Sequence, residues 1–168
     1  QNLKNARELF DSHLEQVFSQ SGEGWVEKSI SKLGLVQTGN TPKTSVKENF
    51  GEFIPFVKPA HFLDGGHIAL HHPGLSEQGK EQSRVVPKNS VAMVCIGATI
   101  GKCGFVEEEI TCNQQINTLT SSDEIHHRFA YYQMLTISFQ KKVIYLSGQA
   151  TLPIINKSKW SSLPLRFP

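Results

Sequence analysis

Long apolar runs are missing from this chain. Nothing in its 168 residues approaches the ~18 consecutive apolar positions of a membrane-crossing helix. Cysteine is scarce: Cys95, Cys103 and Cys112 form an odd set with no C-x-x-C spacing. That argues against a disulfide framework and makes a reducing cytoplasm the expected compartment. The opening QNLKNARELF has neither the basic-then-apolar layout of an export signal nor an initiator Met, so a fragment or a trimmed chain is expected. There is no G-x-S-x-G elbow, and no Ser, His and Asp stand in recognisable surroundings, which leaves hydrolase chemistry without a catalytic set. Acids are absent after Glu124. Residues 1–124 hold eleven Lys/Arg and fifteen Asp/Glu, a balance of −4; residues 125–168 hold six Lys/Arg and no acid, a balance of +6. The asymmetry marks either a face for an anionic partner or a set of ordinary solvated lysines.

What is present suffices for one domain: 38% hydrophobic residues, ten Phe among them, fill a core at this length. LKNARELFDSHLEQVFS (3–19) predicts an amphipathic helix with Leu3, Phe10, Leu14, Val17 and Phe18 on one side. Leu3, Phe10 and Val17 recur every seven residues, a seam for a partner helix or for packing on its own domain. SGEG (21–24) ends that helix as a hinge. Short strands are expected at KLGLVQTG, EFIPFVKPAHF, SVAMVCIG, KCGFVEE and ITCNQQINTLT, with a loop over residues 63–84 that holds at most a brief strand at HIAL. Glu107-Glu108-Glu109 reads as a solvated hairpin edge. Ile125, Phe129, Tyr132, Leu135, Phe139, Val143 and Leu146 step by 4, 3, 3, 4, 4 and 3, the stripe of one continuous helix. An extended, Pro-flanked strand closes the chain. The expected class is α+β: one strand-rich domain with a packed helix, preceded by a leading helix.

The apolar run into Gly97-Ala98-Thr99-Ile100-Gly101-Lys102 resembles the start of a nucleotide-phosphate loop. That pattern needs a glycine five residues before Gly101, where Ile96 stands, and a hydroxyl after Lys102, where Cys103 stands. Both requirements fail. Seven histidines (His13, His61, His67, His71, His72, His126, His127) show no ligand spacing, and the adjacent pairs point apart, so surface or core roles are favoured over metal.

Five polar, turn-forming segments remain: TGNTPKTS (38–45), KPAHF (58–62), GATIGKCG (97–104), NQQIN (113–117) and SGQATLPIINKSK (147–159). Lysines and turn amides suit DNA phosphates, whereas Gln and Asn offer a paired donor and acceptor to an adenine edge. On these grounds Asn40, His61, Gln114, Gln115, Gln149 and Thr151 are candidates for base reading. Lys43, Lys47, Lys58, Thr99, Lys102, Lys157 and Lys159 are candidates for phosphate contact. The Gly101-Lys102 turn is either a backbone turn near DNA phosphate or plain hairpin geometry.

Taken in order, the same segments resemble the target recognition domain of the specificity subunit of Type I restriction-modification enzymes. The run starts at GEGWVEKSISKLGLVQTGNTPKTS, with Trp25 and the Gly39-Asn40-Thr41-Pro42-Lys43 turn. It continues through IPFVKPAHF and SVAMVCIGATIGKCGFVEEEITCNQQI to SGQATLPIINKSKWSSLPLRFP, spanning residues 22–168. NARELFDSHLEQVF resembles the end of the family's central coiled-coil helix, which assigns residues 1–21 to that spacer and the rest to recognition. The resemblance implies the C-terminal half of a specificity subunit, non-catalytic, that binds double-stranded DNA. It would direct methyltransferase and restriction/translocase subunits to half of a bipartite site. No cofactor is expected on this chain; S-adenosylmethionine, ATP and magnesium would belong to those partners. The nearer alternative is the recognition region of a single-chain enzyme with methyltransferase and nuclease fused; the farther is a small nucleotide- or metal-dependent enzyme.

Overall fold

Val91 to Val94 is apolar at every position, the signature of a strand buried on both faces. The computed structural model describes residues 2–20, 23–71, 73–148 and 151–168 and places that strand at the centre. In chain order the elements are α1 (Asn2–Ser19), β1 (Val26–Ser29), β2 (Gly34–Thr38), β3 (Phe50–Gly51), β4 (Phe56–Val57), β5 (Gly74–Leu75), α2 (Glu77–Glu81), β6 (Val85–Val86) and β7 (Ser90–Val94). There follow β8 (Cys103–Val106), β9 (Ile110–Cys112), β10 (Ile116–Ser121), α3 (His127–Leu135), α4 (Ile137–Ser147), α5 (Lys157–Ser161) and β11 (Pro164–Phe167). The class is α+β, as expected.

The main sheet is antiparallel with strand order β2-β10-β7-β8, and a second sheet runs β4-β9-β6. Alternation along β7 explains the layering. Val91 and Met93 join the larger core with Phe105, Leu119, Met134, Phe139 and Trp160, which α3, α4 and α5 cover. Ala92 and Val94 face the other way, into a core with Val57, Val106, Ile110, Cys112 and Ile116 beneath the second sheet. Helices, main sheet and small sheet thus stack with two cores between them. β11 pairs with β1, and its open edge is closed by a side chain. Gln133 Nε2 donates to Arg166 O (2.7 Å) while Gln133 Oε1 accepts from Arg166 N (2.6 Å), as a neighbouring strand would.

Four expectations change. EFIPFVKPAHF keeps only the two-residue strand β4, followed by a 3-10 turn over Pro59–His61. The single helix over 125–146 is two helices. Thr136 sits between them in extended backbone (φ −57°, ψ 145°), donating to Gln133 O (2.7 Å) and accepting from Phe139 N (3.3 Å) as the N-cap of α4. The stripe survives because both helices pack on the same sheet face. ITCNQQINTLT is not one strand; Asn113-Gln114-Gln115 turn it into β9 and β10. The stretch 63–84 carries β5 and α2, held where Asn49 meets Gln78 and Gln82 (3.0 and 2.8 Å). Ser21 and Gly22 of the expected hinge lie outside the described residues.

The leading helix α1 lies on its own domain through Leu14, which is buried, and Phe18, edge-on to Phe129 (5.1 Å). Glu15 Oε2 accepts from Ser138 N (3.2 Å). Leu3 and Val17 of the heptad seam stay exposed. The acidic run 107–109 is exposed, as expected, but Glu107 pairs with Arg128 (3.2 Å) and Glu109 with Lys80 (2.6 Å).

Candidate nucleic-acid interface

At one end of the main sheet β2 and β7 finish while β8 and β10 begin, and there the polar turns meet around residues 113–116. Gly39 N donates to Ile116 O (3.0 Å), Asn113 N to Val57 O (3.0 Å) and Cys95 N to Gln115 O (2.7 Å). Ile155 N then donates to Cys95 O (2.9 Å) and Gly97 N to Pro153 O (3.0 Å). Four of the five candidate segments therefore touch the fifth, directly or through one strand end. A glycine is required at 39 because a Cβ there would collide with the carbonyl oxygens of Cys112 and Asn113.

The candidate base readers differ in what they already hold. Gln114 is exposed; its Oε1 accepts from Thr41 Oγ1 (2.7 Å), and its amide nitrogen has no partner among the described residues. Gln115 is tied at both ends, Oε1 accepting from Asn113 Nδ2 (2.9 Å) and Nε2 donating to Ile96 O (3.3 Å). One donor and one lone pair of that amide remain. Asn40 is also employed, donating to Gln82 O (2.8 Å) and accepting from Arg84 N (2.8 Å), so it locks the 38–43 turn to the segment before β6. His61 accepts at Nδ1 from Lys58 N (3.1 Å). Thr151 is exposed, two residues before Pro153, whose carbonyl accepts from Gly97 N. Gln149 lies outside the described residues.

Among the candidate phosphate contacts, Lys43, Lys47, Lys58, Lys102, Lys157 and Lys159 are exposed, and none enters an ion pair among the described residues. Lys28, Lys80, Arg128 and Arg166 do enter pairs, with Glu124, Glu109, Glu107 and Glu27. The C-terminal positive balance is thus partly consumed by structure, at Arg128 and Arg166, and the lysines keep the rest. Lys58 follows Val57 directly beside the 113–116 turn, its ammonium 5.6 Å from the Phe56 ring. Thr99 is exposed on the β7–β8 turn. Lys102 ends that turn and borders a cavity of about 480 Å³ under α1, with Arg7, Asp64 and Tyr132. Lys47 stands on a 3-10 turn (Lys47–Asn49), and Lys157 and Lys159 on α5, which packs along β2; Lys159 Nζ reaches Leu146 O (3.4 Å). The grouping is tight around 113–116 and loosens outward.

Cys112, under the turn, is buried, which pushes its thiol up to about 12, and burial pushes Cys95 to about 12 against hydrogen bonding from Asn117. Both stay neutral thiols, not nucleophiles. Among the described residues no group of three His, Cys, Asp or Glu could hold a metal ion. Asn113, which sequence reasoning did not single out, is the organiser: nearly buried, it accepts from Gln115 N (3.1 Å) and orients the Gln115 amide. An Asn opening a polar run is the signal of an Asx turn.

The chain's relatives agree in kind. A family profile described as Type I restriction modification DNA specificity domain matches residues 22–168. The Type I restriction enzyme HindI specificity subunit of Haemophilus influenzae is 32% identical over 149 residues, 86% of this chain and 32% of the relative. The MjaIX specificity subunit of Methanocaldococcus jannaschii is 26% identical over 148 residues, 86% of this chain and 34% of the relative. This chain thus spans about a third of the length of these curated relatives. Among solved structures, one from a study of assembly and conformational transition in the type I R-M system superposes with a TM-score of 0.74 at 16% identity, covering 98% of this chain and 40% of the other. The HsdS subunit from Thermoanaerobacter tengcongensis gives 0.71 at 16% identity, covering 98% and 39%. With the profile spanning nearly its whole length and the fold shared, this chain belongs to the family of Type I restriction modification DNA specificity domains.

Proposed function

We propose that this chain is the target recognition domain of a specificity subunit, and that the sheet end built around residues 113–116 reads half of a bipartite DNA site. One observation carries the reading: segments far apart in sequence are bonded together around the 113–116 turn, and the exposed lysines beside them have no acidic partner among the described residues. Unpaired lysines answer phosphates, and a Gln whose amide nitrogen is uncommitted answers a base edge. Lys43, Lys58, Thr99 and Lys102 hold the backbone, with Lys47, Lys157 and Lys159 farther out; Gln114 and Thr151 read bases, with Gln115 behind them. The domain is non-catalytic and works in the cytoplasm. Methyltransferase and restriction/translocase subunits supply the chemistry, and residues 1–21 continue a spacer helix.

The test is binding selection from a random duplex pool, using the full-length protein that carries this chain together with its methyltransferase subunits. Enrichment of one split sequence, one half of which changes when residues 22–168 are exchanged for those of a relative, is the expected result. An unenriched pool, or a selected sequence indifferent to the exchange, refutes the reading.

A further inference from the structure

The recognition end is not wholly polar. Leu152 and Ile154 flank Pro153 and are 53% and 45% exposed, a costly way to place two large apolar side chains on a water-facing surface. They are not loosely held. Ile154 bridges Ile96 antiparallel, Gly97 N donates to Pro153 O (3.0 Å), and Ile155 N donates to Cys95 O (2.9 Å). Side chains alternate along this extended piece, so Leu152 and Ile154 share the outer face while Ile155 is buried beneath. Ile96, half-buried, joins them across the bridge.

The neighbour of this apolar pair is an amide. A Cβ built on Gly97 would lie 3.6 Å from Gln115 Nε2 and 3.9 Å from Leu152 Cδ1, so the bare Gly97 backbone separates the two side chains by little more than its own width. Exposed Thr151 precedes Leu152, and Lys157 follows on the same segment without an acidic partner among the described residues. A strongly apolar occupant is therefore ill-suited to the surroundings, which are polar and basic. An anionic duplex is well suited, and it offers one apolar group in its major groove, the C5-methyl of thymine. An A·T pair displays that methyl at one end of its major-groove edge and the adenine N6 and N7 that an amide reads at the other, so an apolar and an amide side chain together match one pair type.

We propose that Leu152 and Ile154 are specificity-determining residues that contact thymine C5-methyl groups, selecting A·T pairs at the positions under the Gly97 turn. The proposal rests on the DNA-reading function above and adds to it the base type and the residues that choose it.

The test replaces each thymine of the selected duplex, one at a time, with deoxyuridine, which lacks only the methyl group, and measures binding by the full-length protein with its methyltransferase subunits. The expected result is a loss of about fourfold at one or two thymines of the half-site assigned to residues 22–168, the worth of one buried methyl. In Leu152→Ala or Ile154→Ala that loss shrinks toward none, while deoxyuridine elsewhere stays neutral in both proteins. Sequence-selective binding with a flat deoxyuridine scan, or a methyl effect that both variants retain, overturns this inference and leaves DNA reading intact. A half-site without thymine does the same. A protein that selects no sequence at all overturns both. The scan with unaltered protein stands even if a variant fails to fold.

Discussion

Gln140 reaches across from α4 to hold Gly101. Its Nε2 donates to Gly101 O (2.9 Å) and to Met134 O (2.7 Å), fastening the β7–β8 turn to the last turn of α3. Gly101 has a φ of +88°, and a Cβ there would run into the Gln140 side chain. The glycine that invites comparison with a phosphate loop is accounted for by its left-handed backbone and by this contact with Gln140.

Gly101→Ala should therefore lower unfolding free energy by about 2–4 kcal/mol, part from left-handed backbone and part from the collision. In a Gln140→Ala background the collision is relieved and only about 1–2 kcal/mol should remain. Urea denaturation of the four proteins of this cycle measures the difference. Equal costs in both backgrounds contradict the account.

The sequence makes some of this legible and hides the rest for physical reasons. The two-faced strand at Val91–Val94 is visible because burial on both sides demands an unbroken apolar run. The break at Thr136 is invisible, because the apolar stripe continues through two helices that share one sheet face, and a lone Thr is tolerated in a helix. Elements of two to five residues, such as β5 and α2, have too few positions to show a period; Asn49 and its partners hold them instead. At the candidate site, residue type picks out both Gln114 and Gln115. Only the tertiary hydrogen bonds separate them, and one of those joins residues 73 positions apart, Thr41 and Gln114.

The buried thiols should make the fold sensitive to alkali. Cys95 and Cys112 titrate near 12 in the folded chain, above the ordinary thiol range, because burial penalises the thiolate. The unfolded chain thus ionises first. The stability they contribute is complete below about pH 9 and is lost as pH rises toward 12, at up to ~1.4 kcal/mol per unit for each thiol. Stability of Cys112→Ala followed from pH 8 to 10.5 should decline less steeply than that of the unaltered protein. Parallel declines would show that this thiol is not the titrating group.

Charge should be separable by pairing state. Lys58 is exposed beside the 113–116 turn with no acidic partner among the described residues, whereas Lys80 is paired with Glu109 at 2.6 Å. Lys58→Gln should weaken binding to every duplex alike and reduce the slope of log affinity against log salt by about one. Lys80→Gln should leave that slope unchanged. A salt titration of both variants decides, and equal slopes count against the placement of the DNA at this end of the sheet.

The two adjacent glutamines give the sharpest contrast, since side-chain chemistry is the same and only the hydrogen bonding differs. Gln114 is exposed and its amide nitrogen is uncommitted among the described residues, so Gln114→Ala should leave thermal stability within about 0.5 kcal/mol of the parent. Its effect should fall on selectivity, relaxing preference at one base by roughly 1–3 kcal/mol. Gln115 braces Asn113 on one side and Ile96 on the other, so Gln115→Ala should cost about 1–3 kcal/mol of stability by leaving polar partners unmet. It should also disturb several base preferences at once, because the 97–102 and 151–155 segments lean on the same turn. Thermal unfolding paired with a selection profile for each variant reads both quantities. If Gln114→Ala unfolds easily and Gln115→Ala alters a single base, the division of labour is the reverse of the one drawn from their hydrogen bonds.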